Sequence, residues 1–236
     1  MFVRCIGSGS SGNCHALIDN SGKILLLDVG MPKNDILKAI DFKISDIVGA
    51  VVTHAHLDHS KSISDFERYG IPVFKPKPMN VCGFKIAAIP MTDLQGNWMH
   101  TNADGSECPC YGFLIEHHEM GRMLYITDTE LIKWRFKCIN HILLGVNYDK
   151  NLIDTENQGK ANHVYKGHLS IDTACDFVKA NNSDDLQNVI MCHLSRDSAE
   201  PDSFIEKMQK VAPQANVYVA QKGLEVELRK GDEPPF

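Results

Sequence analysis

Apolar residues along this chain fall into short runs that are separated by turns rich in Gly, Ser, Asn and Asp. Most runs either alternate with polar residues or are continuously apolar, which is typical of half-buried and fully buried β-strands respectively. We predict strands at residues 2–6, 14–18, 23–28, 49–53, 71–74, 84–90, 110–116, 122–127, 141–147, 189–193, 217–221 and 225–228.

Four other segments are typical of helices. They are residues 32–40, which Pro32 opens, residues 60–69, which end before Gly70, and residues 171–181 and 201–211. Strands dominate each half of the chain and helices follow some of them, which favours an α/β layer architecture with helices outside β-sheets.

The length of 236 residues fits one domain. We predict a single domain over residues 1–230 and a flexible C-terminal tail at residues 231–236, because the tail contains Gly and two Pro residues.

Composition excludes several classes of protein. The chain is 43% hydrophobic, so a core is available, yet no run approaches the roughly 18–20 apolar residues of a membrane helix. A formal charge of −6 argues against a broad basic face for nucleic acid. The N-terminus lacks the pattern of a secretion signal, and the eight cysteines are scattered. We expect a soluble cytoplasmic protein that binds no membrane, with reduced thiols and with Cys5, Cys138 and Cys192 buried.

Eleven histidines exceed what core packing requires. Residues 53–59 (THAHLDH) place three imidazoles and a carboxylate directly after the predicted strand 49–53. Histidines two positions apart at a strand end point to the same side, and imidazole with carboxylate suits zinc, manganese or iron. The run therefore predicts a metal site, and a His-rich polar loop is the alternative.

The HxHxDH run resembles the signature of the metallo-β-lactamase superfamily. Further matches are to one branch, the YycJ/WalJ-like nuclease group, at residues 7–14 (GSGSSGNC), 26–30 (LLDVG), 167–170 (GHLS) and 192–195 (CHLS). The resemblance covers most of the chain. It implies a four-layer αββα sandwich, two β-sheets packed face to face between helices, with a site for two divalent ions (zinc or manganese, with iron as a further option) along one edge.

The superfamily pattern implies which residues bind each ion. His54 and His56 would bind the first ion, and Asp58 and His59 the second. His193, which ends an apolar run, would complete the second site. Asp128, in the run YITDT, would bridge the two ions, and a helix N-cap is the alternative role for Asp128.

The remaining histidine of the first site is harder to place. The family positions it shortly after the strand at 84–90, but residues 91–93 contain no histidine and residues 94–99 form an extra segment. His100 is the first histidine beyond that segment and is our candidate. The alternative is a surface-loop histidine, with water or another residue completing the site.

Other residues would support the metals or bind substrate. Asp28 resembles the buried aspartate that orients ligands from beneath the metal loop. Asp58 and His168 are the candidate catalytic residues, and His168 would contact a substrate phosphate or donate a proton. The candidate substrate-binding residues are Ser8, Ser10, Ser11, Asn13, Asn147, Tyr148 and Ser195. We expect His117 and His118 to face solvent, His141 and His163 to be structural or exposed, and His15 to have no functional role.

These residues suit a metal-dependent phosphodiester hydrolase, because two ions activate a hydroxide and stabilise the charge that develops at phosphorus. The branch resemblance implies an exonuclease-like enzyme with DNA rather than RNA as its partner. A phosphodiesterase of small cyclic-nucleotide-type substrates is an alternative, and a catalytically silent binding protein on the same fold is another. Bound ions would supply positive charge that the residue count does not include. The sequence does not indicate the oligomeric state.

Overall fold

The computed structural model describes residues 1–74, 78–102, 104–153 and 167–231. These residues form two β-sheets that share an apolar core, and helices cover the outer face of each sheet. The arrangement confirms the four-layer αββα sandwich.

The first sheet contains β1 (Phe2–Gly7), β2 (Cys14–Ile18), β3 (Ile24–Leu27), β4 (Ile47–Val51), β5 (Val73–Phe74) and β13 (Glu225–Glu227). Their spatial order is β13-β1-β2-β3-β4-β5. The strands β3, β4 and β5 are parallel, whereas β1 pairs antiparallel with both β2 and β13.

The second sheet contains β6 (Met79–Val81), β7 (Phe84–Pro90), β8 (Tyr111–His117), β9 (Gly121–Ile126), β10 (His141–Gly145), β11 (Asn188–Cys192) and β12 (Asn216–Val219). Their spatial order is β12-β11-β10-β9-β8-β7-β6. The strands from β9 to β12 are parallel to one another, and β6, β7, β8 and β9 pair in an antiparallel succession.

The described helices are α1 (Lys33–Ala39), α2 (Leu57–Ser60), α3 (Ile63–Arg68), α4 (Ile171–Asn181) and α5 (Pro201–Val211). Single 3₁₀ turns occur at Ile44–Asp46 and Lys150–Leu152. Helix α4 begins after Ser170, whose side chain accepts a hydrogen bond from the backbone N–H of Thr173. None of the described helices is long and apolar enough to cross a lipid bilayer.

The helices α4 and α5 coincide with the predicted residues 171–181 and 201–211. Most predicted strands begin and end within two residues of the observed ones. The strand β6 was missed because it is only three residues long and no face of it is buried. The helix predicted at 60–69 is divided into α2 and α3, and α2 begins at Leu57, inside the histidine run.

Two local predictions were wrong. Cys138 is exposed rather than buried, because the chain turns there with a positive φ of 54°. His117 is buried rather than solvent-facing, because it occupies an inward position of β8 and packs against the Phe84 ring at 4.7 Å. His118 is exposed, as predicted. His163 and residues 232–236 of the predicted tail lie outside the described residues.

His141, at the start of β10, is fully buried and held as a neutral imidazole. Its Nε2 donates to the carbonyl of Arg229 at 3.0 Å, so its Nδ1 accepts from the Asn188 amide, also at 3.0 Å. Burial lowers the pKa of His141 from 6.5 to about 4. Protonation of the folded protein would also break the hydrogen bond from Asn188.

Acid should therefore destabilise the fold through His141. The unfolded chain takes up a proton there below about pH 6.5 and the folded chain only near pH 4, so stability is lost as the pH falls through this window. Between pH 7 and pH 5 we expect the free energy of unfolding to fall by about 2 kcal/mol more in the wild type than in His141→Gln. Urea denaturation at both pH values measures this difference. Equal falls in the two proteins would contradict it.

Candidate metal centre

The candidate ligands follow parallel strands of both sheets at one edge of the sandwich. The histidine run follows β4 in the first sheet, whereas Asp128 and His193 follow β9 and β11 in the second. The carboxyl ends of parallel strands are the usual position for ligand sites in such sheets. This edge therefore brings together residues that are far apart in sequence.

The loop after β4 turns sharply as it enters α2. The backbone N–H groups of His59 and Ser60 both donate to the carbonyl of His56 at 2.9 Å. On its other side the loop packs against Gly30, where an added Cβ would overlap the backbone carbonyl of Asp58. Only glycine permits this close approach. The loop is thus held between the ends of β3 and β4.

A first cluster contains His54, His56 and His100. One ring nitrogen of each lies within 4.8 Å of the others. The Nε2 of His100 and the Nδ1 of His56 are 3.0 Å apart. The extra segment at 94–99 thus returns the chain so that His100 meets the two histidines that follow β4.

A second cluster contains Asp58, His59 and His193. The Oδ2 atom of Asp58 lies 3.3 Å from the Nε2 of His59 and 3.5 Å from the Nε2 of His193. The three side chains therefore converge on one point beside the first cluster.

Asp128 connects the two clusters. A carboxylate oxygen of Asp128 lies within 4.8 Å of ring nitrogens of His54 and His59, and one also lies within 4.8 Å of ring nitrogens of His168 and His193. One oxygen is 2.9 Å from the Nε2 of His59, and the other is 3.7 Å from the Nε2 of His193. This is the position that a bridging carboxylate requires.

Three residues of this edge adopt the left-handed backbone conformation. The φ angles are 56° for Asp28, 50° for Asp128 and 57° for His193, and none of them is glycine. Such conformations are costly and persist where the surrounding structure imposes them, which is common at functional sites.

Burial and charge set the protonation of the clusters. Burial lowers the pKa of His100 to about 4 and holds the pKa of His54 well below its ordinary value. Burial alone would raise the pKa of Asp128, but the neighbouring His193 and His59 lower it well below its ordinary value. Burial alone would lower the pKa of His59 and His193, but Asp28 and Asp128 raise that of His59 well above its ordinary value, and Asp128 raises that of His193. Neutral imidazoles and ionised carboxylates are the forms that bind metals, so metal binding at the second cluster would release protons.

The donor set fits divalent cations. Ligand atoms 3.0–3.7 Å apart match the separations expected of groups that lie about 2 Å from a common ion. Imidazole and carboxylate without thiolate suit zinc, manganese and iron. In the first cluster two imidazole nitrogens face each other directly, and a shared cation would satisfy both lone pairs.

Asp28 lies fully buried beneath the clusters and contacts several groups at once. One of its oxygens is 2.6 Å from the Nδ1 of His59 and accepts a hydrogen bond from the Tyr125 hydroxyl at 2.5 Å. The other accepts from the backbone N–H of Thr53 at 2.8 Å. Asp28 therefore orients His59 with its Nε2 toward the second cluster, a function that sequence analysis predicted without the contribution of Tyr125.

Asn102 was missed by sequence analysis. Its Oδ1 lies 3.2 Å from the Nε2 of His56, while its amide nitrogen donates to the Ser106 hydroxyl at 2.9 Å and to the carbonyl of Glu107 at 3.3 Å. These donations fix the amide with its oxygen toward His56. The Nε2 of His56 therefore donates, which leaves the lone pair of Nδ1 facing His100.

We predict that Asn102→Leu weakens metal binding by about 10- to 100-fold, the usual cost of losing a group that orients a metal-binding histidine. Asn102→Asp keeps an oxygen acceptor and should retain most of the affinity. Competition with a chromogenic chelator measures the affinities of the apoprotein variants. Equal losses in the two variants would show that the loop, rather than the acceptor, supports the site.

His168 contacts the clusters from the segment before α4. Its Nδ1 is 2.9 Å from an oxygen of Asp128, and its ring stacks on that of His193 with centroids 5.5 Å apart. The side chain remains 16% exposed. His168 thus lies beside the candidate ligands with part of its ring open to solvent.

The predicted substrate-binding residues divide into two groups. Three contact the clusters: the Ser8 hydroxyl accepts from the backbone N–H of His193 at 2.8 Å, the Asn13 amide lies 3.0 Å from the Nε2 of His59, and the Asn147 amide donates to the carbonyl of His193 at 2.9 Å. They hold the ligands in place from one side.

The others lie further from the clusters. Ser10 and Ser11 are exposed in the turn between β1 and β2, and Ser195 is half-buried, with its N–H donating to the carbonyl of Asn147. Tyr148 is buried, and its backbone pairs with that of Ser170. Substrate binding by these four residues stays a prediction.

Comparison with known proteins agrees with this geometry. Residues 8–74 match the sequence model of the Metallo-beta-lactamase superfamily, a span that contains Ser8, Asp28 and the histidine run. The chain is 25% identical over 228 residues to the exodeoxyribonuclease YycJ of Bacillus anthracis, and the similarity covers 84% of each chain.

Solved structures share the fold at low sequence identity. The metallo-beta-lactamase fold protein YhfI from Bacillus subtilis superposes with a TM-score of 0.67 at 14% identity, covering 95% of this chain and 98% of that one. A diphosphatase of the PhnP family superposes with a TM-score of 0.63 at 15% identity, covering 97% and 98%.

Proposed function

We propose that this protein is a hydrolase of the metallo-beta-lactamase superfamily and that it cleaves the phosphodiester bonds of nucleic acid, DNA in particular. The observation that carries the proposal is the pair of adjacent donor clusters, His54–His56–His100 and Asp58–His59–His193, which share Asp128. Two clusters joined by one carboxylate suit two divalent ions, zinc or manganese, held side by side.

Each residue of the centre then has a distinct role. The three imidazoles of the first cluster and the mixed set of the second would bind one ion each, and Asp128 would contact both. Ions held in this way lower the pKa of water and stabilise the oxygens of a phosphoryl group during in-line displacement. Asp28 and Asn102 would keep His59 and His56 in the tautomers that direct their free nitrogens inward.

His168 is placed to manage the proton of the leaving group. Its Nδ1 lies 2.9 Å from Asp128, which orients the ring, and Nε2 is the nitrogen that we assign to the substrate. Donation from this Nε2 to the departing oxygen would neutralise the developing alkoxide. General acid catalysis of this kind contributes typically 10²–10⁴-fold to a rate.

Similarity to the exodeoxyribonuclease over 84% of both chains supports a DNA substrate. The eight free cysteines agree with a reducing compartment, and we place the protein in the cytoplasm. The net charge of −6 does not oppose a polyanionic substrate, because bound divalent ions dominate the local field.

The test is a substrate panel on protein reconstituted with zinc, manganese or iron. End-labelled single- and double-stranded DNA, RNA and a cyclic nucleotide are incubated with the wild type and with Asp58→Ala. Asp185→Ala, which removes an exposed carboxylate elsewhere, is the matched control. We expect cleavage of DNA by the wild type and by Asp185→Ala, and its loss in Asp58→Ala.

Each other outcome contradicts part of the proposal. Cleavage of the cyclic nucleotide alone would identify a small-substrate phosphodiesterase. Cleavage of RNA in preference to DNA would overturn the choice of polymer. Unchanged activity of Asp58→Ala would refute the two-ion mechanism, and inactivity with every metal and substrate would indicate a binding protein.

A further inference from the structure

A basic and aromatic segment connects β9 to β10. Residues 133–137 read Lys-Trp-Arg-Phe-Lys, and no other five-residue window of the chain contains three basic residues. Neither the metal clusters nor their supporting residues include any part of it. The segment thus concentrates positive charge and aromatic surface in a chain whose net charge is −6.

Hydrogen bonds tie the first residue of the segment to the edge that carries the metal centre, whereas the carbonyl of its last residue, Lys137, accepts from the Arg122 side chain at the start of β9, toward the opposite edge. The ammonium of Lys133 donates to the Thr92 hydroxyl at 2.9 Å and to the carbonyl of Asp93 at 2.7 Å. Both acceptors belong to the loop that leads from β7 to His100. Asp128, which contacts both clusters, lies only five residues before Lys133 in the sequence.

The aromatic ring of Trp134 is held in position but exposed. Its indole N–H points to the carbonyl of Pro90 at 3.5 Å, and the Lys133 ammonium lies 5.1 Å from the ring centroid. Trp134 nevertheless remains 42% exposed, and the nearby Leu131 46%. A rigid exposed ring offers a stacking surface at low cost in conformational entropy.

Phe136 packs the segment against the protein, whereas the charged side chains of Arg135 and Lys137 extend into solvent. The backbone N–H of Phe136 donates to the Asn181 side chain at 2.6 Å, and its ring contacts that of Phe177 in α4. The side chains of Arg135 and Lys137 are exposed. The segment is therefore fixed to α4 with its cations directed to solvent.

A cavity of about 240 Å³ lies between the segment and α4. Its lining includes Leu131, Trp134, Arg135, Phe177 and one carboxylate, Asp176. The apolar and aromatic part of this lining suits the faces of a nucleobase, and Lys133 and Arg135 in the same lining add positive charge. The exposed cations beside the cavity suit the phosphates of the same strand.

We propose that residues 133–137 bind a single strand of nucleic acid as it leaves the metal centre. Trp134 stacks on a base, while Arg135 and Lys137 bind successive phosphates. Alternating aromatic and cationic groups are the usual means of binding single strands without reading their sequence. This inference rests on the proposed function, because continuity with the metal centre is what favours a nucleic-acid strand over another anionic partner.

Binding and cleavage are measured separately on the metal-loaded protein. Fluorescence anisotropy with a labelled phosphorothioate single strand, which resists cleavage, gives the affinity. Turnover of bis-p-nitrophenyl phosphate, which lacks the strand that residues 133–137 would bind, reports the centre alone. The variants are Trp134→Ala, Trp134→Phe and the double variant Arg135→Gln/Lys137→Gln. Lys210→Gln/Lys222→Gln removes the same charge from exposed positions elsewhere.

Trp134→Ala should weaken binding of the strand by about 5- to 150-fold, as loss of one base stack does, and Trp134→Phe should restore most of it. The Arg135→Gln/Lys137→Gln variant should reduce the slope of log affinity against log salt by about 1.4, which corresponds to two phosphates of a single strand. The Lys210→Gln/Lys222→Gln control should leave the slope unchanged, and all variants should turn over the small substrate as the wild type does.

The outcomes separate this inference from the proposed function. If the protein binds the strand through Trp134 but cleaves no substrate, strand binding by residues 133–137 is supported and the proposed hydrolase activity is refuted. If DNA is cleaved normally and all variants bind the strand with unchanged affinity, only the proposal that residues 133–137 bind the strand is overturned. The same holds if the wild type does not bind the strand. Trp134-dependent adsorption to anionic phospholipid vesicles, with unchanged affinity for the strand, would assign the segment to a membrane surface instead.

Discussion

Replacing Asp128 by Asn should lower kcat/KM for phosphodiester hydrolysis by about 10³-fold or more, which corresponds to about 4 kcal/mol of transition-state stabilisation. The variant keeps the size of the side chain but removes the negative charge that both clusters share. Asp128 lies 2.9 Å from His59 and 2.9 Å from His168, so the loss affects metal binding and the orientation of His168 together.

The control for Asp128→Asn is Asp41→Asn. Asp41 is exposed and has a φ of 54°, close to the 50° of Asp128, so the same substitution is tested in the same backbone conformation away from the site. Metal content and kcat/KM are measured for both variants by elemental analysis and a DNA cleavage assay. An Asp128→Asn protein with full metal content and wild-type activity would refute the bridging role.

The second large effect is expected for His168→Ala, with a fall in kcat of about 10²–10⁴-fold on DNA. The effect should depend on the leaving group. The alkoxide that leaves a nucleic acid requires a proton, whereas p-nitrophenolate leaves readily without one. Turnover of bis-p-nitrophenyl phosphate should therefore fall much less than turnover of DNA.

His118→Ala removes an exposed imidazole at the opposite end of β8 and is the matched control for His168→Ala. Metal content should stay at the wild-type level in both. A rise in KM for both substrates with little change in kcat would instead assign His168 to phosphate binding. Equal losses of kcat on the two substrates would exclude proton donation as its role.

Local sequence patterns predicted most elements because burial alternates in strands and repeats every few residues in helices. Helices α4 and α5 were predicted to the residue, since each has a clear apolar face and a favourable start at Ser170 or Pro201. The failures were local as well. β6 is too short to show a period, and Cys138 lies in an apolar stretch whose turn exposes it.

In the metal centre, too, local sequence pattern predicted some residues and not others. The HxHxDH run lies within six residues, so one strand end and one turn determine its geometry, and its resemblance to a superfamily was visible before any fold was known. His100 was harder to predict because the extra segment at 94–99 places it later in the sequence than the family pattern does. Only the path of the loop between β7 and β8 shows that His100 reaches His56.

Contacts between residues distant in sequence decided the rest. The carboxyl ends of β3, β4, β9 and β11 must meet at one edge before Asp28, Asp128 and His193 become neighbours of the histidine run. The orientation of Asn102 toward His56 and the attachment of Lys133 beside the loop of His100 depend on the same packing. Residue pattern thus specified the elements and the chemistry of one loop, because both follow from near neighbours. Side-chain convergence was set by the packing of the two sheets, which no local pattern records.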